Sequence, residues 1–328
     1  MEKKGIIKLT LLLVIVIAII SAWGLSNASL SGKINRTIQP DTISDNSGGQ
    51  VAGRVSSNIV FENSFPKSVE QIMVYKVVSQ HYTKEDSIAL AEKFNMDNIG
   101  KTREVEEGSS IASEDGTIYA ILHNSGFIEF INSNRAHTIN PYDIPEKLPS
   151  DEEAIKIATE FLKERELLPE GAVFSGVTHG KIYTIVKDGE DTVDWEDIQV
   201  WFKRELNGYP VEGTQLMLAI GGGGDIIEFF TNWRTYEPYG ELPVKSPEQA
   251  LEELKSKGVY VGMNSKDPVV SFNDVSLVYH TNAGAYTEEY LEPVWVFKGN
   301  VMVDDKAVMD VEEYIPALTE VPTELTSK

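Results

Sequence analysis

The centre of the chain reads Phe202-Lys-Arg-Glu-Leu-Asn-Gly-Tyr-Pro-Val-Glu-Gly-Thr-Gln-Leu-Met-Leu-Ala-Ile220, and this stretch decides the fold. Asn207-Gly208 followed by Pro210 is typical of a tight turn, because these residues adopt or fix the backbone angles that turns need. Gly213 suits a bulge or the close approach of another backbone segment. The stretch therefore predicts two strands that are joined by a short connection.

Two strand pairs are expected around this connection. Ile198–Leu206 and Gly213–Ile220 should pair antiparallel through a turn at 207–212. The glycine run Gly221–Gly224 turns the chain again, so Gly213–Ile220 should also pair with Asp225–Phe230. The apolar residues of the shared strand lie two apart and therefore on one face of the sheet.

Three helix starts share one pattern, in which a hydroxyl residue is followed three positions later by Asp, Glu or Gln. They begin at Thr83, Ser150 and Ser246. In such a capping box the hydroxyl accepts a hydrogen bond from the first turn, and the later side chain bonds back. Alternating segments rich in β-branched and aromatic residues follow each helix and indicate antiparallel strands. The helix at 151–166 should cover the strand face that carries Leu218.

The expected fold class is α+β, with an N-terminal membrane helix and then two or three small units, each a helix packed on an antiparallel sheet. The expected domains are a membrane anchor or signal peptide (1–28), a flexible linker (29–57), a first α+β unit (58–145), a second unit (146–242) and a third unit (243–328). The linker assignment follows from its Ser, Asn and Gly content, which favours a flexible chain.

The N-terminus has the pattern of an export signal or a signal anchor. Lysines precede the 17-residue apolar or small run Leu9–Leu25, which is just long enough to span a bilayer. The length of the run favours a retained anchor, while cleavage after Ala28 stays open. Either way, the basic flank places the rest of the chain outside the cell membrane. Asn27 and Asn35 lie in N-x-[ST] sequons that could carry glycans if the host glycosylates.

The charge balance excludes some classes of function. Lys and Arg number 29 against 51 Asp and Glu, which gives a net charge of −22. An acidic chain repels phosphate backbones, so nucleic acid is not expected as a partner. The chain has no cysteine, which excludes disulfides, thiolate metal sites and cysteine nucleophiles.

A family resemblance rests on the central motif, whose positions are Asn207, Gly208, Pro210, Val211 and Gly213. This N-G-x-P-V-x-G pattern resembles the strand pair of the PepSY and thermolysin-propeptide family, and the Ser150 helix is similar to the helix that opens that module. Ser271–Tyr279 and Leu291–Phe297 look like the terminal strands of YycH/YycI-type regulators. The resemblance implies a PepSY-like fold and a membrane-anchored extracytoplasmic regulator of a sensor kinase, without catalysis.

No catalytic, cofactor or metal site is predicted. The chain has no H-E-x-x-H motif, and Gly221–Gly224 lacks the Gly-Lys-[Ser/Thr] of a phosphate-binding loop. The loop Asp188–Asp197 holds six carboxylates, which are the ligands that calcium prefers. Because the EF-hand spacing is missing, a solvated loop is favoured, and calcium binding stays open.

The favoured function is a membrane-tethered, extracytoplasmic, non-enzymatic binding or regulatory protein. It would act through protein–protein contacts on a membrane sensor or peptidase, with a sheet edge or a groove between units accepting an extended segment. One alternative is an envelope structural or assembly protein. Another is an exported hydrolase that uses carboxylates, which a raised carboxyl pKa in a deep cleft would favour.

Overall fold

The computed structural model describes residues 53–96, 98–132, 147–184, 192–261, 267–282 and 288–325. The predicted membrane segment Leu9–Leu25 and both sequons lie outside this part of the chain, as do residues 188–191 of the acidic loop 188–197. Within it, no helix combines the length and the apolar character needed to cross a bilayer.

All three predicted helices are present in the described residues. They are α1 (Lys84–Lys93), α2 (Asp151–Glu164) and α3 (Pro247–Lys257). Each begins with the expected capping box, in which the hydroxyl of Thr83, Ser150 or Ser246 accepts from the backbone N–H three residues later. The prediction from capping chemistry is confirmed.

Sixteen strands occupy the rest of the described chain. They are β1 (Gly53–Val55), β2 (Ile59–Phe61), β3 (Gln71–Val78), β4 (Ile99–Val105), β5 (Gly108–Ser113), β6 (Ile118–His123), β7 (Phe127–Asn132), β8 (Ala172–Thr184), β9 (Thr192–Leu206), β10 (Tyr209–Ile220), β11 (Ile226–Asn232), β12 (Thr235–Pro243), β13 (Val259–Val261), β14 (Val269–His280), β15 (Tyr290–Val303) and β16 (Lys306–Pro316).

The predicted fold class is wrong, because the described chain is mostly sheet: 55% of it is strand and 18% is helix. The residues divide into two compact units that are discontinuous in sequence. The first takes its described residues from the ranges 1–76, 238–280 and 290–328, and the second from 77–237 and 281–289. The helices therefore do not each define a small unit with a sheet of its own.

The second unit contains one antiparallel sheet in the strand order β4-β5-β6-β7-β11-β10-β9-β8. It consists of two four-strand meanders, β4–β7 and β8–β11, each preceded by a helix. The pairing of β7 with β11 joins them, and this pair is called the seam below. An isolated meander would leave its last strand as an unpaired edge, and the seam removes two such edges at once.

Helices α1 and α2 cover the same face of this sheet and share one hydrophobic core. Buried core residues come from both helices and both meanders; they include Leu90, Ala91, Ala158, Leu162, Phe130, Leu218 and Phe229. One core explains why the two meanders form a single unit, since neither helix alone could cover an eight-strand sheet.

The strand pairing predicted around the central motif is confirmed. In β9 and β10, Phe202 lies opposite Leu216 and Val200 lies opposite Leu218, while Leu218 also lies opposite Phe229 of β11. Leu218 is fully buried beneath α2. Only the predicted extent of the turn is wrong, because Asn207-Gly208 alone forms it and Tyr209 already pairs with Leu206.

The first unit is built around β14 and β15, which pair antiparallel over most of their lengths. β16 adds to the other side of β15, and the short strand β2 pairs with β14 in parallel. Helix α3 buries Ala250, Leu251 and Leu254. The sheet of this unit is therefore mixed rather than antiparallel, and its strands come from both ends of the described chain.

Candidate protein-binding site

Strand β8 is the outer strand of the second unit's sheet and pairs with β9 alone among the described strands. Ser175 is an extra residue in this pairing, since Phe174 lies opposite Phe202 and Gly176 lies opposite Trp201. Beyond this bulge, Gly176–Gly180 pairs regularly. An outer strand presents backbone N–H and C=O groups that can pair with another chain.

Apolar side chains are exposed along the same strand. The exposed fractions of Val173 and Phe174 are 45% and 47%, and Val177 is half-buried against the core. We use the term β8 edge for the outer backbone of 173–180 together with the side chains of Val173, Phe174, Val177 and His179. This surface offers both backbone groups and apolar contacts to a partner.

Helix α2 lies beside the β8 edge. At its first residue, Asp151 Oδ1 is 3.0 Å from His179 Nε2. Ile155, one turn further on, and Val177 are both half-buried against the same core. The capping box at Ser150 starts the helix where three carboxylates, Asp151–Glu153, occupy its first turn. The side of the β8 edge that carries Val177 and His179 is therefore acidic at one end and apolar further along.

The opposite edge of the sheet is β4, and its chemistry differs. Lys101, Arg103 and Glu104 are exposed there, and the register with β5 shifts between Ile99 and Thr102. Ile99 and Val105 of β4 are exposed as well, but the charged side chains between them discourage the addition of another strand. Of the two outer strands of the second unit, β8 is the one suited to accept a partner.

The predicted family-motif positions lie away from the β8 edge and have structural roles. Asn207 and Gly208 have φ values of 49° and 79° and form the two-residue turn. Pro210 is exposed, whereas Val211 is 2% exposed. At Gly213, φ is 85° and an added Cβ would collide with the carbonyl oxygen of Thr281.

A buried ion pair in the second unit fixes Glu288 beside Thr281 and Asn282. Arg234 Nη1 donates to Glu288 Oε2 at 2.5 Å, and their side chains are 2% and 10% exposed. Glu288 also accepts hydrogen bonds from Thr281 Oγ1 and the backbone N–H of Asn282. Arg204 donates to the carbonyl oxygen of Arg234. No local pattern indicates this network, because its members are scattered along the chain.

Two further carboxyls, which the sequence patterns did not single out, lie on the seam; Glu129 is buried and Glu228 is half-buried. Glu129 of β7 and Glu228 of β11 each occupy the centre of an Ile-Glu-Phe sequence. Burial raises the pKa of Glu129 to about 7. Burial first, and then the charges of Glu129 and Asp197, raises the pKa of Glu228 to about 8. The repeated Ile-Glu-Phe triplet in two apolar strands was the signal that could have revealed them.

Raised carboxyl pKa values are one of the two features named above for a carboxylate-dependent hydrolase; the other is a deep cleft. Glu129 is only 8% exposed. A shallow depression on the second unit is lined by residues such as Arg103, Ser110 and His123, and contains neither glutamate. Within the described ranges, no three His, Asp or Glu side chains are placed to hold a metal ion together.

Comparisons with known proteins give a structural resemblance only. No family model and no curated protein matches the chain, so the predicted PepSY resemblance is not supported. An uncharacterized protein from Eubacterium rectale matches with 15% identity and a TM-score of 0.47, over 82% of this chain and 92% of that one. YycH from Bacillus subtilis matches with 12% identity and a TM-score of 0.38, over 75% of this chain and 53% of YycH. The match spans about half of YycH, and the resemblance to this regulator type is weak.

Proposed function

We propose that the protein is a non-enzymatic binding or regulatory protein that takes up an extended segment of a partner protein along the β8 edge. The observation that carries this proposal is the 13-residue outer strand β8 with Val173 and Phe174 exposed on it. In strand addition, main-chain hydrogen bonds provide affinity, and alternate side chains of the added strand provide specificity. Phe174 and Val177 would contact those side chains.

The negative charge of the chain limits which partner segments can bind at the β8 edge. The net charge is −22, and the first turn of α2 adds three carboxylates beside His179. An acidic segment would be repelled there. The partner segment is therefore apolar at alternate positions and otherwise uncharged or basic.

The location of the partner is part of the same proposal and rests on the sequence. A basic flank before a 17-residue apolar run supports a single-pass cell-membrane protein with its C-terminal part outside, or a secreted one if the signal is cleaved. The partner is then an extracytoplasmic segment of a membrane sensor or a peptidase. No cofactor is required for this function.

Site-specific crosslinking tests the proposal. A photoreactive phenylalanine analogue replaces Val173 in the full chain in its native membrane, and the crosslinked peptide is identified by mass spectrometry. A matched chain carries the analogue at Val105, which is 39% exposed on the opposite edge. We expect an extended segment of one partner to be captured from position 173 and not from position 105.

Binding of the captured segment, as a synthetic peptide, is then measured for Phe174→Asp and for the control Val105→Asp. Phe174→Asp should weaken binding at least about tenfold, since a carboxylate replaces an apolar contact, while Val105→Asp should bind like the wild type. Equal binding by both variants, or capture of a helical surface, would contradict strand addition. Capture of a second copy of this chain would support the assembly function instead.

A further inference from the structure

The seam places two glutamates symmetrically about one residue pair. Phe130 of β7 lies directly opposite Phe229 of β11. Glu129 precedes the first phenylalanine and Glu228 precedes the second, so each lies one position before its half of the pair. Phe130 and Phe229 belong to the core beneath the helices. Because side chains alternate along a strand, both glutamates lie on the other face of the sheet, as diagonal neighbours.

No positively charged group among the described residues acts on either carboxyl. Glu129 Oε2 is buried and accepts no hydrogen bond from the described residues. Asp197 of β9 adds a negative charge that acts on Glu228, and His179 of β8 acts in turn on Asp197. Burial, and then the charges of the two glutamates, raises the pKa of Tyr119 of β6. The intervening strand β10 contributes Met217 and Ala219 to this face, which are apolar.

Two neighbouring carboxylates, one buried and one half-buried, do not both ionise readily. Burial disfavours the charged form of each, and the second charge adds repulsion from the first. Burial and repulsion each raise the pKa of a carboxyl group, and the pKa values of Glu129 and Glu228 are both raised. Near neutral pH the pair therefore retains at least one proton.

We propose that Glu129 and Glu228 form a proton-binding latch on the seam. With at least one of them protonated, the two meanders stay joined; loss of both protons to solvent places two negative charges side by side and loosens the β7–β11 pairing. Loosening of this pairing would separate the two sets of strands, because among the described strands only β7 and β11 connect the two meanders. This proposal does not depend on the function proposed for the β8 edge.

Hydrogen exchange of the full chain in a mild detergent tests the latch. Amide exchange in 127–132 and 226–232 is measured at about pH 5, pH 7 and pH 9 and corrected for the intrinsic pH dependence of exchange. Peptides from β14 and β15 provide an internal reference. In the wild type, corrected exchange at the seam should increase at least about tenfold from the lowest to the highest pH, because the open state binds fewer protons than the closed one.

Four variants separate the latch from a general loosening of the fold at alkaline pH. The double variant Glu129→Gln/Glu228→Gln cannot ionise at the seam and should lose the pH response, while each single variant should retain a reduced one. Glu205→Gln, at an exposed glutamate of β9, should respond like the wild type. A wild-type seam that does not respond to pH would overturn the proposal. So would glutamine variants that respond fully, or single variants that do not fold, since glutamine mimics the neutral form that the closed seam requires.

Discussion

Phe94 stacks on Phe130, with ring centroids 4.0 Å apart and ring planes inclined by 12°. Phe94 ends helix α1, and its ring also contacts Phe161 of α2 and Phe229 of β11, with centroids 5.4 Å and 5.5 Å away. The ring at the end of α1 thus contacts helix α2 and both strands of the seam. Aromatic contacts at these distances add to the free energy gained from burial.

Removal of Phe130 should therefore be costly. Phe130→Ala leaves a cavity beneath Phe94 and should lower the free energy of unfolding by about 3–5 kcal/mol. Phe174→Ala is the matched control, because Phe174 is 47% exposed and its loss should cost about 1 kcal/mol or less. Urea unfolding followed by tryptophan fluorescence measures both. Similar losses for the two variants would show that the seam is not part of the core.

Leu218 provides a second test of the shared core. Leu218→Ala should cost about 2–5 kcal/mol, because the side chain is fully buried beneath α2. Gly223→Ala should cost about 1–2 kcal/mol, since φ is 69° at Gly223 and a left-handed backbone disfavours a Cβ. The comparison uses the same urea titration. A larger loss at Gly223 than at Leu218 would contradict the packing of α2 on this strand.

The two glycines of the central motif should differ in their sensitivity. Both have positive φ, 79° at Gly208 and 85° at Gly213, so alanine strains either position by about 1–2 kcal/mol. At Gly208 an added Cβ meets no atom within 4 Å, whereas at Gly213 it meets the backbone of Thr281. Gly213→Ala should therefore lower the melting temperature clearly more than Gly208→Ala. Equal shifts in differential scanning calorimetry would count against this close approach.

The helices and the central strand pair could be predicted because their signals are local. Capping boxes lie within four residues, and the Asn207-Gly208 turn determines the register of the strands beside it. The seam could not be predicted in this way, because β7 and β11 are about a hundred residues apart and nothing in either strand specifies the other. The start of β8 at Ala172 could not be predicted in this way either, because Ser175 and Gly176 interrupt the alternation of the strand.

Stability should depend on pH through the seam carboxyls. Burial raises the pKa of Glu129 to about 7 and of Glu228 to about 8, above the usual value of 4.5. The folded state then binds protons more tightly than the unfolded state. The stability they contribute is complete below about pH 4.5 and is lost as the pH rises through 7 and 8. The free energy of unfolding should fall between about pH 5 and pH 9, and Glu228→Gln should reduce this fall. A rise over the same range would contradict the assignment.

The buried pair of Arg234 and Glu288 should show strong coupling. Glu288→Gln leaves the guanidinium, whose side chain is 2% exposed, without its counter-charge, and should cost about 3–5 kcal/mol. Arg234→Met should cost about as much, because it leaves Glu288 buried and charged. The double variant Arg234→Met/Glu288→Gln removes both charges and should be more stable than the sum of the two losses predicts. A double-mutant cycle by urea unfolding measures this difference. Additive losses would mean that the two side chains do not interact, and that hydrogen bonds from Thr281 and Asn282 alone hold Glu288.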